Sequence, residues 1–269
     1  MKGRVLIIAG SDSGGGAGIQ ADIKAVTALG AFAMTAITAL TAQNTLGVHG
    51  VHAVPEDFIR QQIAVVLEDL GADALKTGML HSTPVIEAVA EEIAARAKGI
   101  PLVADPVMVA KGGHPLLAPE AVGTLKARLL PLATVITPNL PEAEVLTGHP
   151  IRDVPGMRQA ADALRALGVP AVLLKGGHLE GETVTDLLVT ADGTEEFVSP
   201  RIATRHTHGT GCTLASAIAA GLAQGMALRD AVARARAYVR AAIAAAPGYG
   251  HGHGPLDHAV TIDPARIQR

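Results

Sequence analysis

The only cysteine of the chain, Cys212, follows the turn Gly209-Thr210-Gly211 at the point where an Ala-rich helical pattern begins. Backbone N–H groups converge at a helix start, and the helix dipole favours an anion there. A phosphate, or a phosphoryl group passing between two oxygens, is the anion such a turn would hold. A thiolate is also favoured at that position, so Cys212 is a candidate base or anion contact. The same residues would equally make a plain glycine turn feeding a buried helix, with the cysteine as a small core side chain.

Three further segments place polar residues just beyond apolar runs. In TPNLPEAEVLTG (137–148), Asn139 follows a strand-like run and Glu142 lies three residues on, in the first helical turn. Both side chains could turn to one target: a magnesium ion, its waters or a nucleotide phosphate. An Asn-Pro turn with Glu142 as a helix N-terminal charge uses the same residues. In LLKGGHLEG (173–181), Lys175 can reach a phosphate as a point charge, or simply be solvated. In LVADPVMVAKGGHPLL (102–117), Asp105 ends an apolar strand, where an unpaired charge would be costly. A metal, a basic partner or a hydrogen-bond network must meet it there. Lys111-Gly112-Gly113 gives the 107–118 segment the composition of a mobile flap, of the kind that excludes water during phosphoryl transfer, or of an ordinary surface loop.

Other chemistries find less support. The loop AGSDSGGGAGIQAD (9–22) lets backbone approach a small ligand. It lacks the Gly-Lys-Ser/Thr of a P-loop and the spaced G-x-G-x-x-G of a dinucleotide site. No Ser-His-Asp arrangement stands out. His251, His253 and His258 sit in a Gly-rich tail without a cysteine; tail packing or a pocket wall accounts for them better than a metal.

Alternating strands and helices must position these residues. RVLIIA (4–9) is a continuous apolar run, as of a strand buried on both faces. Helical spacing follows over 19–29, with Gly30 as its stop. Further strands are predicted at 33–40, 48–54, 74–79, 101–109, 133–137 and 171–177. Helices are predicted at 55–70, 83–98, 141–147, 156–168, 211–224 and 227–246. A hairpin is predicted over 183–199, turning at Ala191-Asp192-Gly193. This order implies a single α/β domain over 1–269 with a mostly parallel sheet. Ligands of such sheets bind beyond the carboxyl ends of the strands. Ser11-Asp12, Gln43-Asn44, Lys76-Thr77, Asp105, Asn139 and Lys175-Gly176-Gly177 all fall there.

Composition narrows the classes further. The 269 residues are 49% hydrophobic and 17% charged with a formal net charge of −3, enough apolar material for a core and too little positive charge for a nucleic-acid partner. No run reaches the roughly 18 apolar residues of a membrane helix. The first apolar run is too short for a signal peptide and reads as a strand. A lone cysteine forms no intrachain disulfide and no multi-cysteine zinc site, which points to a cytoplasmic protein. Trp is absent and aromatics are 2%, so a ligand pocket cannot rely on stacked rings.

Taken in order, AGSDSGGGAGIQADIKA, ITALTAQNTLGV, LKTGML, ADPVMVAKGGHPLL, ITPNLPEAEVLTG, LLKGGH, HTHGTGCTLASAIAA and HGHGP run nearly end to end. Together they resemble the bacterial hydroxymethylpyrimidine/phosphomethylpyrimidine kinases of thiamine biosynthesis, in the ribokinase-like superfamily. The resemblance implies a three-layer α/β/α sandwich and two phosphorylations that use ATP and Mg2+. The first falls on the hydroxymethyl of 4-amino-5-hydroxymethyl-2-methylpyrimidine, the second on the resulting monophosphate. By motif it implies that Gln43 reads the pyrimidine edge and that Gly10, Ala17, Met79 and Val107 complete that pocket. It implies an anion hole at Gly209, Gly211 and Cys212, with Thr210 in the same nucleotide-contacting turn. Lys175 and Asn139 would meet the ATP phosphates, and Asp105 and Glu142 would lie near the magnesium. The relatives also imply a homodimer. Most of the superfamily carries Asp where Cys212 stands. A free thiol, with a pKa of about 8.5, is a poor base at neutral pH, but a loose transition state makes positioning and charge neutralisation outweigh proton removal. The nearest alternative is a pyridoxine/pyridoxal kinase sharing the same turn; a nucleotide-binding regulator without turnover is more distant.

Overall fold

The computed structural model describes residues 1–263 and Ala265. Strand β1 (Arg4–Asp12) lies inside the sheet, buried almost throughout. Val5, Ile7 and Ala9 face one apolar layer while Leu6 and Ile8 face the other, the two-residue alternation of a strand covered on both sides.

After β1 come α1 (Gly18–Ala28), β2 (Phe32–Gln43), β3 (Val48–Ala53), α2 (Glu56–Asp69), β4 (Ala74–Thr77), α3 (Thr83–Arg96) and β5 (Leu102–Ala104). The chain continues through α4 (Ala121–Thr124), which widens into a π turn and tightens into a 3-10 turn, the two spanning Leu125–Leu132. Next are β6 (Val135–Ile136), α5 (Leu140–Thr147), α6 (Val154–Arg165) and β7 (Val172–Leu174). The hairpin β8 (Thr183–Thr190) and β9 (Gly193–Pro200) precedes α7 (Thr210–Ala223) and α8 (Leu228–Ala244).

The described strands form one sheet in the order β3-β2-β1-β4-β5-β6-β7-β8-β9. Pairings from β2 through β7 are parallel; β3, β8 and β9 add antiparallel flanks. Helices α1, α7 and α8 cover one face and α2 to α6 the other, giving three layers. Small side chains make the first layer thin. Along α7, Thr213 to Gly221 are buried without a break, and a β-carbon on Gly221 would lie 2.7 Å from that of Ala231 in α8. Ala and Gly there let two helices and the sheet approach closely.

Several strands are shorter than their apolar runs. The 101–109 run pairs only over Leu102–Ala104, and 171–177 only over Val172–Leu174. Beyond those points the chain leaves the ladder to form ligand loops. Val107 there packs around Ala39, Met79 and Leu116 instead of pairing. The helical segment 121–132 has no counterpart in the sequence reading. Gly123 and Pro131 interrupt its periodicity, and the wide turn brings Leu125, Leu129 and Leu130 inward at a spacing no regular helix gives.

Candidate active site

A cleft of about 720 Å³ lies beyond the carboxyl ends of the parallel strands. Every residue to which the resemblance gave a site role lines it. Gly10, Ala17, Gln43, Met79 and Val107 stand at one end; Asp105, Asn139, Glu142 and Lys175 stand at the other; Gly209, Thr210, Gly211 and Cys212 lie between.

The central turn is built by glycine. Gly209 caps α7 with φ 80°, in the left-handed region that favours glycine. A β-carbon on it would overlap the Gly16 carbonyl, so the two glycine-rich turns interlock. Thr210 N–H and its hydroxyl both turn to the Thr207 carbonyl. The next two amides, of Gly211 and Cys212, precede the first intrahelical donor, Thr213. They therefore have no intrahelical partner and can meet an anion. Burial pushes the Cys212 thiol up to about 12; Lys76 and the Gly18 amide oppose the rise without cancelling it. At neutral pH Cys212 is thus a thiol rather than a thiolate.

Lys175 is brought to this turn by a bridge between its backbone and that of Asn139. Its Nζ donates to Asp105 Oδ1 at 3.1 Å, and a β-carbon built on Gly211 would lie 3.2 Å from Nζ. Burial alone would push this ammonium down, but the Asp105 and Glu142 carboxylates outweigh it and hold it above its ordinary value. Asp105 also accepts from the Thr137 hydroxyl at 2.9 Å, also on Oδ1. Its buried charge is therefore met by a basic partner and a hydrogen-bond network. Asn139 and Glu142 form a capping box: Asn139 Oδ1 accepts the Glu142 amide at 2.9 Å, and Glu142 accepts the Asn139 amide at 2.8 Å. The structural and chemical readings of this pair hold together, because the buried Glu142 carboxylate that closes the cap also lines the cleft. Burial raises the Glu142 carboxyl, and the Lys175 charge pulls it only part of the way back.

At the other end the organising group is Asp12, which the sequence placed beyond a strand end without giving it a role. Its carboxylate accepts the amides of Gly14 (2.8 Å), Gly16 (3.1 Å) and Ala17 (2.8 Å), and His208 Nε2 donates to it at 2.9 Å. Gln43 leans on the same histidine, its Nε2 3.4 Å from His208 Nε2, while its Oε1 lies 3.1 Å from the Thr41 hydroxyl. Burial alone would raise the Asp12 carboxyl; the His208 and amide hydrogen bonds overcome that and hold it below the carboxylate range. A depressed carboxyl adds stability above its unfolded pKa, about 4, which is lost as pH falls through the folded value. We expect Asp12→Ala to lower unfolding free energy by about 2–4 kcal/mol at neutral pH. The gap between variant and parent should close below about pH 4. Urea unfolding across pH checks this; a gap independent of pH would refute it.

Other residues to which the sequence gave no role complete the walls. Asp186 accepts the Gly176 amide at 2.9 Å and pairs with Arg236 at 2.7 Å, holding the loop after Lys175. Lys76, which the sequence had placed at a strand end, lines the cleft as well; Arg201 and Asp186 were not so marked. Their signal was weak, since single charged residues in strands or near turns usually serve solvation. Position in the fold, not spacing, brings them to the site. The tail histidines pack as part of the fold: His258 Nε2 lies 2.9 Å from the Thr213 hydroxyl, and His253 lies 3.1 Å from the Arg205 carbonyl. Burial pushes His258 down to about 4, so it is neutral. Gly252 and Gly254 seat the tail against Thr45 and His206 with no room for a β-carbon. The 107–118 segment is a closed turn, with the Ala110 amide on the His114 carbonyl at 2.8 Å.

Known proteins share this arrangement. The family model for phosphomethylpyrimidine kinase matches residues 12–257. A hydroxymethylpyrimidine/phosphomethylpyrimidine kinase of Streptomyces coelicolor is 51% identical over 96% of this chain and 95% of its own. The thiamine biosynthesis bifunctional protein of Geobacter sulfurreducens is 52% identical over 98% of this chain, which spans only 54% of that longer protein. Among solved structures, an ADP complex of Bacillus subtilis pyridoxal kinase superposes with a TM-score of 0.90 at 39% identity, over 98% of this chain and all of that one. The three-layer, mostly parallel architecture is that of the ribokinase-like kinases. A match running from Asp12 to Asp257 takes in all of the cleft lining except Ala9, Gly10 and Ser11, with both glycine turns and Lys175 between them, and on that ground the chain belongs to the phosphomethylpyrimidine kinase family.

Proposed function

We propose that the protein transfers the γ-phosphoryl group of ATP to the hydroxymethyl of 4-amino-5-hydroxymethyl-2-methylpyrimidine, and then a second one to the monophosphate so formed. One observation carries this reading. The Gln43–Met79 end and the Lys175–Asn139 end open from opposite sides onto the same unpartnered amides of Gly211 and Cys212, within a single cleft. An acceptor alcohol and a nucleotide can thus approach one anion site from two sides.

Gln43, steadied by the Thr41 hydroxyl and lying against His208, offers a hydrogen-bonding edge to an aminopyrimidine, while Met79, Val107 and Ala17 supply apolar walls. In the transfer, the hydroxymethyl oxygen bonds to the γ-phosphorus as the bond to the bridging oxygen of ADP breaks. Lys175 neutralises the phosphates, and the two free amides take the equatorial oxygens. The hydroxyl proton leaves late, as a loose transition state requires, and passes to an oxygen of the transferred phosphoryl group or to solvent, so the step does not depend on the protonated Cys212 thiol as a base. The monophosphate product presents its own phosphate to the same amides, which supports the second transfer.

Magnesium fits the donor chemistry. Among the described residues there is no cluster of three His, Cys, Asp or Glu that could cage a metal. Asp105 Oδ2 takes no hydrogen bond from the described residues and lies beside Gly211. One or two carboxylates suit an ion held mostly by phosphates and water. Asp105, with Glu142 behind it, would hold such an ion, which when bound neutralises phosphate charge.

We assign the protein to the cytoplasm as part of the same proposal; no described helix is long and apolar enough to cross a membrane. A homodimer belongs to the proposal as well, supported by the outer strand β3 and by exposed Leu40 and Leu46 beside it.

Resemblance to a pyridoxal kinase structure favours a second reading, with a pyridine ring in the same pocket. A product assay separates them. Purified protein with ATP and magnesium is offered the hydroxymethylpyrimidine, its monophosphate and pyridoxine in parallel, and products are resolved by chromatography. Diphosphate from the monophosphate is the expected result. Phosphorylation of pyridoxine alone would replace the proposal by the second reading.

A further inference from the structure

One of the charges lining the cleft that the transfer step does not use is fully buried. Lys76 on β4 is completely buried, and its Nζ donates to the equally buried Asp22 Oδ2 at 2.8 Å. Asp22 in turn accepts the Ser216 hydroxyl at 2.7 Å on its other oxygen. Two helical spacings place this network under the anion turn. Ser216 is four residues after Cys212 on α7, hence on the same face one turn below. Asp22 is four residues after Gly18 on α1, and the Gly18 amide favours the ionised form of Cys212.

The pair is directional. Lys76 lines the cleft, whereas Asp22 and Ser216 do not. The ammonium therefore stands toward the reacting groups and the carboxylate stands behind it. Stability does not account for such a pair, since apolar side chains of the same volume are often as stabilising or more so. Attraction between Lys76 and Cys212 is strong enough to contribute to the protonation behaviour of both.

We propose that Lys76 is a positioning residue, a fixed cation locked beneath the Gly209–Cys212 turn by Asp22 and Ser216, which readies that turn to receive the negative charge of a phosphoryl group. The proposal rests on the kinase reading above, and one arm of its test does not.

Removing Lys76 alone strands a buried carboxylate, so the variant to make is Lys76→Met with Asp22→Asn, which removes both charges. Ser216→Ala is a milder companion that keeps both charges and removes only the anchor. The double variant should lose about 10- to 100-fold in kcat, the scale of supporting groups behind a reacting shell, with KM for ATP and for the pyrimidine little changed. Ser216→Ala should lose about threefold, because it removes one anchoring hydrogen bond and keeps both charges. The independent arm uses the fact that Cys212 is the only cysteine. Its alkylation by iodoacetamide, followed by mass spectrometry at fixed alkaline pH, needs no substrate. Loss of the neighbouring cation disfavours the thiolate and should slow the reaction. A purely structural role would loosen packing and speed it. Unchanged kcat in the double variant, or alkylation of that variant that is unchanged or faster, would overturn the proposal. If the parent enzyme phosphorylates none of the offered alcohols, the substrate reading fails while alkylation still decides the role of Lys76.

Discussion

Replacing Lys175 with Met should lower kcat/KM by about 10³-fold, close to 4 kcal/mol of transition-state stabilisation, whereas Cys212→Ala should cost no more than about 30-fold. Both residues touch the same turn, but they contribute differently. Lys175 is held charged by Asp105 and Glu142, and its Nζ lies where a side chain on Gly211 would begin. No other described ammonium lies beside Gly211. Lys175→Met also leaves two acidic groups facing each other without their common partner. Cys212, by contrast, is a protonated thiol whose backbone amide remains in the alanine variant. Transfer through a loose transition state asks little of a base and much of fixed positive charge. Lys175→Arg should not rescue activity, because the fork of a guanidinium needs room that the contact with Gly211 denies. Steady-state kinetics on all three variants, with melting curves to confirm folding, checks this. Equal and near-total loss in Lys175→Met and Cys212→Ala would make the thiol an obligatory base and overturn the assignment.

The second large effect is expected at Gly209. Substituting Ala puts a methyl group into the Gly16 carbonyl and forces a left-handed backbone on a residue with a β-carbon. The left-handed conformation alone costs about 1–2 kcal/mol. The overlap must be relieved by parting the two glycine turns, which also moves Asp12, His208 and the free amides. Gly209→Ala should therefore abolish activity and lower stability by about 3 kcal/mol or more. Two controls isolate the cause. Gly168 has φ 89° with open space around it, so Gly168→Ala should cost only the conformational part, about 1 kcal/mol. Gly123 has open space and an ordinary φ within α4, so Gly123→Ala should be neutral or slightly stabilising. Equal destabilisation by Gly209→Ala and Gly168→Ala in thermal unfolding would show that the interlock contributes nothing.

Much of the architecture was legible because local patterns coincide with it. The continuous apolar run at 4–9 became an inner strand, and the Ala191-Asp192-Gly193 turn became a hairpin end. A buried parallel strand must be apolar on both faces, and a tight hairpin needs turn residues, so both leave marks in a short window. The segment 121–132 left no such mark, since a π turn changes the spacing on which periodicity depends. Strand ends were overestimated for a related reason: Val107 is apolar to line a cleft, and composition does not distinguish a ligand wall from a ladder.

The site shows the same division. Sequence by itself singled out the residues to which we assign the chemistry: the glycine turn ending in Cys212, Lys175 after a strand, the Asn139–Glu142 pair and Asp105. Those groups lie in short motifs whose residue types are dictated by helix starts and strand ends. Tertiary structure alone decided what faces what. Asp12 meets His208 across 196 positions of chain, Ser216 meets Asp22 across 194, and Lys76 meets Asp22 across 54. Each pairing depends on which strands the sheet sets side by side and on how closely α7 lies against them. No spacing along the chain records such distances, because burial, which makes an unpaired charge costly and so demands a partner, exists only once the layers have closed.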